Sequence, residues 1–202
     1  SMPTWWELGP AFLREAGIPA TPEQEQMLRT MTDHEVIPYL REVCGLPWSE
    51  QEIMDKIIAR MEDFYSTAVR PKPGLEKFLS ILKMEGVWMY VATATHRRLT
   101  EKALKTAGID HYFRGIVTSA DAGNHKSESA DIYEMAMRRL QSNKRDTVVF
   151  EDALHAIRTA KAAGFRVAGV YEATAEQDQP EIQRLCDYYI RSYEELVQSE
   201  TF

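Results

Sequence analysis

Five short β-branched runs separated by amphipathic segments occupy the chain after Gly74, at residues 87–92, 115–118, 147–150, 167–170 and 188–190. Strands that alternate with helices pair in parallel, because each helix carries the chain back to the starting end of the sheet. The intervening segments suit that role. Leu99, Ala103, Leu104 and Ala107 form one apolar stripe, and Ile157, Ala160 and Ala163 another. Gly108 and Gly164 stand where helix C-termini call for a left-handed residue. The pattern predicts an α/β fold for residues 72–202, a doubly wound parallel Rossmann-like sheet.

Residues 1–71 carry no convincing strand alternation and read as a lead-in followed by helices. Thr21-Pro22-Glu23-Gln24 is a helix start, with Thr as N-cap, Pro at the first helical position and Gln24 three residues after the cap. Ser49-Glu50-Gln51-Glu52 is a second capping box. Behind it Ile53, Ile57, Met61, Phe64 and Ala68 make one apolar stripe, widened by Ile58 and Tyr65, as expected of a helix packed on one face.

Acidic residues outnumber basic ones by 31 to 24, for a formal charge of -7, and no Lys/Arg stripe gathers along the chain. That argues against nucleic acid as a partner. No apolar run approaches the roughly 18 to 20 residues needed to cross a bilayer, and the stretch from Ser1 to Trp6 lacks the regions of a signal peptide. A cytoplasmic protein without a membrane partner is the expectation. Cys44 and Cys186 stand far apart without ligand-like spacing, and both read as packing residues.

In open parallel sheets ligands bind beyond the carboxyl ends of the strands. Three of those ends carry chemistry. Thr93-Ala94-Thr95-His96-Arg97 follows the first run, a polar loop containing Lys126 follows the second, and Glu151-Asp152 follows the third. Two carboxylates at the tip of an apolar strand are costly unless a positive group sits there, and Mg²⁺ is the simplest such group. Each residue also has a plainer role open to it. Glu151 and Asp152 could meet a helix dipole, Thr93 could cap the next helix, and Lys126 could be a solvated loop lysine.

Together these residues give the chain a family resemblance. Residues 74–195 resemble the core of the haloacid dehalogenase superfamily, in the branch of beta-phosphoglucomutase-like and phosphoglycolate-phosphatase-like members. Val91-Ala92-Thr93-Ala94-Thr95 resembles the motif whose strand-end hydroxyl holds a phosphate oxygen. Lys126 with Asp131-Ile132-Tyr133 resembles the motif whose lysine neutralises phosphate charge. Phe150-Glu151-Asp152-Ala153, leading into Ala160-Lys161-Ala162-Ala163-Gly164, resembles the motif whose acids hold Mg²⁺. The resemblance implies Thr93 and Lys126 as catalytic residues and Glu151 and Asp152 as metal ligands. It places Thr93, Ala94, His96 and Arg29 against substrate, and makes the helical residues up to 71 a small cap.

Two departures qualify it. The family's nucleophile is an aspartate in an Asp-x-Asp motif on a strand preceding the cap, whereas Ser1-Met2-Pro3 resembles the lead-out from that strand. The strand is central in the family, so the expectation is a core whose first strand is absent from this chain, with self-association through the incomplete sheet as one way to fill it. The expectation that follows is a start that omits about 10 to 15 residues, judged from usual strand and loop lengths. Lys126 also stands five residues before Asp131, where the family has four, with Ala130 in place of Pro. The resemblance implies a Mg²⁺-dependent phosphatase of a small phosphorylated metabolite, working through an aspartyl-phosphate. Activity in residues 1–202 is expected to be absent or very weak. The alternatives are a non-catalytic binding or regulatory protein, and a phosphomutase once the strand is restored.

Overall fold

The computed structural model describes residues 2–198 apart from Thr32, His125 and Ser127; the side chains of Met2, Pro3, Arg29, Thr30, Asp33 and His34 also lie outside the description. The chain divides into two compact units, one ending at Val69 and one beginning at Arg70.

The first unit is helical. It contains α1 (Met2–Glu15), α2 (Pro22–Thr30), α3 (Asp33–Pro38), which continues into a π-helical turn at Tyr39–Val43, and α4 (Glu50–Thr67). Both capping boxes form. Gln24 donates its amide N–H to Thr21 Oγ1 at 3.2 Å and Thr21 donates its own to Gln24 Oε1 at 2.9 Å. Ser49 and Glu52 repeat the exchange. In α4 the buried axis runs through Ile53, Met61 and Tyr65, with Ile57 and Phe64 half-buried and Ala68 exposed. The stripe thus tilts away from Ala68, which only caps the helix end.

The second unit alternates α5 (Leu75–Met84), β1 (Met89–Thr93), α6 (Arg97–Thr106), β2 (Phe113–Thr118), α7 (Ser119–Ala122), α8 (Asp131–Arg139), β3 (Val148–Glu151), α9 (Leu154–Ala162), β4 (Arg166–Val170), α10 (Gln179–Leu185), β5 (Tyr188–Ile190) and α11 (Tyr193–Gln198). Gly108 and Gly164 adopt positive φ just beyond α6 and α9. All strand pairing is parallel, in two pieces: β1 pairs with β2, and the order in the other sheet is β3-β4-β5.

Helices cover both faces. On one, Ile132, Tyr133 and Ala136 of α8, Ile157 and Ala160 of α9 and Ile182 of α10 bury Val117, Val149 and Val167. On the other, Phe78 of α5 and Tyr193 of α11 cover Ala168, Val170 and Ile190. β4 is buried at four successive positions, residues 167–170, and a strand covered on both faces is apolar at successive positions, which is why this run lacks polar alternation. β1 begins later than the sequence suggests and reaches Thr93, while β3 extends to include Glu151, which pairs with Gly169. No helix among the described residues is long and apolar enough to cross a membrane.

Candidate metal and phosphate site

Successive side chains of a strand point to opposite faces. Val149 and Glu151 therefore share the α8 side of β3, while Phe150 turns the other way and meets Phe78 of α5 at a ring separation of 5.9 Å. That register delivers the Glu151 carboxylate into an apolar layer, where it is only 8 % exposed. Burial is tolerated because the charge is fully engaged. Lys126 Nζ and Tyr133 Oη both donate to Glu151 Oε1, the second at 2.9 Å, and the Asp152 amide donates to Oε2 at 3.3 Å. The extra residue between Lys126 and Asp131 is absorbed in the loop, and the ammonium still reaches the end of β3. The Tyr133 hydroxyl is pushed well above its usual pKa, first by burial and then by the Glu151 charge; it stays a donor.

Asp152 differs from its neighbour. Among the described residues its carboxylate has no hydrogen-bond or ion-pair partner, and burial, reinforced by the Glu151 charge, raises its pKa. Lys72 and Lys126 oppose that rise, and Glu172 adds to it. A half-buried, unpartnered carboxylate with a second one beside it has the chemistry of a hard-cation ligand. Mg²⁺ commonly takes one or two carboxylates and keeps several waters, so this pair fits it. No group of three or more His, Cys, Asp or Glu suited to a metal occurs among the described residues.

Thr93 closes β1, opposite Thr118 of β2. Its Oγ1 accepts the Thr95 amide at 3.1 Å, an arrangement that leaves the hydroxyl proton to donate elsewhere. Ala94 and His96 are exposed in the turn that follows, and His96 is the residue before α6 without capping it through its side chain. Arg97 has structural work: its Nη2 donates to Ile116 O at 2.9 Å and to Asp121 Oδ2 at 2.8 Å, tying α6 to β2 and α7. Asp121 also caps α7 through Thr118. The structure brings Lys126, Glu151 and Asp152 together. Among the described residues no hydrogen bond links Thr93 or His96 to that cluster. Arg29 lies in α2, and its side chain is outside the description.

Three participants carry no role in the sequence reading. Tyr133 holds Glu151. Lys72 donates to Tyr171 O at 3.0 Å and to Glu172 Oε2 at 2.7 Å, and both charged groups bear on Asp152. Glu172 sits just beyond β4, a strand end as available to inspection as the other three. Tyr133 and Lys72 have no comparable signal, because an inward-facing tyrosine and a loop lysine look ordinary in sequence.

The family model described as haloacid dehalogenase-like hydrolase matches residues 7–170. A "Phosphorylated carbohydrates phosphatase" of Thermotoga maritima is 24% identical over 169 residues, covering 83% of this chain and 78% of that protein. "Protein CbbY" of Cereibacter sphaeroides is 32% identical over 152 residues, covering 71% of this chain and 65% of that one. "Pyrophosphatase PpaX" of Halalkalibacterium halodurans is 31% identical over 129 residues, covering 64% and 59%. The chain thus spans less than two thirds of the last two relatives. Among solved structures, CbbY from Rhodobacter sphaeroides in complex with xylulose-(1,5)bisphosphate superposes with a TM-score of 0.79 at 20% identity, covering 96% of this chain and 89% of that one. A beta-phosphoglucomutase from Clostridium difficile superposes at 0.74 and 16% identity, covering 96% and 86%.

Proposed function

This chain belongs to the haloacid dehalogenase-like hydrolases, and we propose that the carboxyl end of β3 is a phosphate-monoester site of the phosphatase type. The observation that carries the reading is the unpartnered Asp152 carboxylate standing beside a Glu151 already held by Lys126 and Tyr133. Asp152, with Glu151 next to it, would hold Mg²⁺. When bound, that ion supplies positive charge to phosphate oxygens and to the in-line transition state.

The chain's own residues do the rest. Thr93 donates its free hydroxyl proton to a phosphate oxygen, and Lys126 sets an ammonium close to the anion. Tyr133 and Lys126 together fix Glu151, so that the acid pair keeps its spacing as charge enters. The helical unit up to Val69 is read as the family's cap, and His96, exposed in the turn after Thr93, as a contact to a small phosphorylated metabolite. A Lys-bearing, carboxylate-lined strand edge suits a monoester better than a nucleic-acid chain, given the excess of acidic over basic residues.

The nucleophile is a separate matter. Asp152 directly follows β3, and the other aspartates lie in helices, turns or loops rather than in an Asp-x-Asp pattern after a strand. Turnover by residues 1–202 alone is therefore absent or very weak, and the site binds Mg²⁺ and phosphate without rapid hydrolysis.

Thermal shifts with Mg²⁺ and inorganic phosphate, together with an aryl-phosphate assay, test both parts. Stabilisation by the two ligands together, reduced by Thr93→Ala and by Asp152→Asn, is the expected result. Absence of any Mg²⁺-dependent phosphate binding would refute the site. Robust turnover abolished by Thr93→Ala would refute the weak-activity part alone.

A further inference from the structure

A cavity of about 230 Å³ opens at the carboxyl ends of β4 and β5. Pro73, Val170 and Ile190 give it apolar walls, Tyr171 and Tyr193 line it with rings, and Lys72 and Arg191 bring two cations. Sites for drug-sized ligands begin at roughly 300 Å³, so the occupant is a small molecule. Among the described residues that line it, none is Thr93, Lys126, Glu151 or Asp152.

Tyr193 is the anomaly in its layer. It is only 7 % exposed and packs with Phe78, Ala168, Val170 and Ile190, all of them apolar. Phenylalanine would fill that space as well, yet a hydroxyl is present, and among the described residues it has no hydrogen-bond partner. A hydroxyl withdrawn from water without a partner is costly, so a ligand that accepts from it gains. Burial, and after it the Asp152 charge, raises its pKa to about 12; it stays a donor. Further donors surround it. Tyr171 O and Glu172 Oε2 take two of the three Lys72 protons and leave one. The Arg191 guanidinium lies 5.9 Å from the centre of the Tyr171 ring and makes no ion pair among the described residues. Ser192 Oγ accepts the Glu194 amide at 3.1 Å, which leaves its own proton free. Charge narrows the choice. Glu172 balances Lys72, and the one acid on the cavity wall, Glu194, is exposed and solvated. Arg191 is thus left to face a single negative charge, and its planar fork matches the two oxygens of a carboxylate.

We propose that this cavity binds a small monocarboxylate with a short apolar body. The carboxylate accepts from Arg191, from Tyr193 Oη and from the remaining Lys72 proton, and the body rests on Pro73, Val170 and Ile190. The site needs no metal and shares no residue with the Mg²⁺ and phosphate reading, from which it stands apart.

Benzoate is the probe, titrated into the 202-residue protein in EDTA and followed by calorimetry and by amide NMR shifts. One saturable site, with shifts gathered at residues 170–171 and 190–194, is the expected result. Benzyl alcohol, which keeps the ring and lacks the charge, should not saturate it. Arg191→Gln should weaken benzoate at least about tenfold through the loss of a charge-assisted bond, and Tyr193→Phe by about three- to tenfold while circular dichroism shows an intact fold. Glu194→Gln should tighten it, since it removes a like charge from the wall. Thr93→Ala and Asp152→Asn should leave it unchanged while they reduce Mg²⁺-dependent phosphate binding, so the two sites can fail separately. No saturable benzoate binding, equal binding of benzyl alcohol, or undiminished binding by Arg191→Gln would overturn the proposal. So would a Tyr193→Phe protein that binds benzoate normally and loses Mg²⁺-dependent phosphate binding, since the hydroxyl would then serve the metal site.

Discussion

Lys126 and Glu151 form an ion pair whose side chains are only 15 % and 7 % exposed. Removing one member of a withdrawn pair strands the other charge, at a typical cost of about 3 to 5 kcal/mol. Lys126→Met should therefore cost about 3 kcal/mol of unfolding free energy. Glu151→Gln combined with Lys126→Met should cost clearly less than the sum of the single changes. Denaturant unfolding of the four proteins in a double-mutant cycle measures this; additive effects would mean the pair is solvated and independent.

Tyr133 supports the same carboxylate from α8, donating at 2.9 Å. Hydrogen bonds to charged groups contribute about 1.5 to 3 kcal/mol, so Tyr133→Phe should destabilise within that range while leaving the ring packed against Phe165. If Tyr133 also fixes the acid pair, the same variant should weaken Mg²⁺ binding, read as a smaller Mg²⁺-induced rise in Tm.

Gly74 and Gly108 share positive φ but differ in surroundings. A Cβ on Gly74 would lie 2.5 Å from the Glu194 amide nitrogen and 2.7 Å from the Tyr193 carbonyl carbon, whereas one on Gly108 would meet nothing within 4 Å. Gly108→Ala should cost only the left-handed conformation, about 1 to 2 kcal/mol. Gly74→Ala must in addition push α11 away from α5, and the expected loss is about 3 kcal/mol or more. Comparable midpoints for the two variants in urea would mean that α11 shifts freely.

Much of this was legible in sequence where short-range chemistry decides the outcome. The Thr21 and Ser49 caps, the Gly108 and Gly164 helix ends and the run at 188–190 follow from single residues and local spacing, and the structure has them in place. Strand ends were less legible. Glu151 reads as a residue after a strand, yet it is the last paired position of β3, because Lys126 and Tyr133 make its burial tolerable from elsewhere in the chain. The Lys72–Glu172 pair spans 100 positions, and no periodicity encodes such a contact. The stripe of α4 fails at Ala68 for a related reason, since the helix ends before that residue can turn inward.

Asp152 offers the sharpest pH test. Its carboxyl is raised above the ordinary range, by burial first and by the Glu151 charge second. A carboxyl with a higher pKa folded than unfolded binds its proton more tightly in the folded state. Its stabilising contribution is therefore present below the unfolded pKa and is lost as pH rises through the folded one. At neutral pH without Mg²⁺ the ionised group opposes folding, so Asp152→Asn should stabilise the protein by about 1 kcal/mol, or roughly 2 to 4 °C in Tm for a chain of this size. The advantage should shrink as pH falls toward and below the usual carboxylate range, where the native group is protonated too. Mg²⁺ should reverse the order at neutral pH: it compensates the charge of the native protein and finds a weaker ligand in the variant, so the native Tm rises past that of Asp152→Asn. Thermal unfolding across pH, with MgCl₂ and with EDTA, measures each limb. A variant less stable than the native protein in EDTA at neutral pH would mean that Asp152 has a hidden favourable partner, and that its carboxylate is not waiting for a cation.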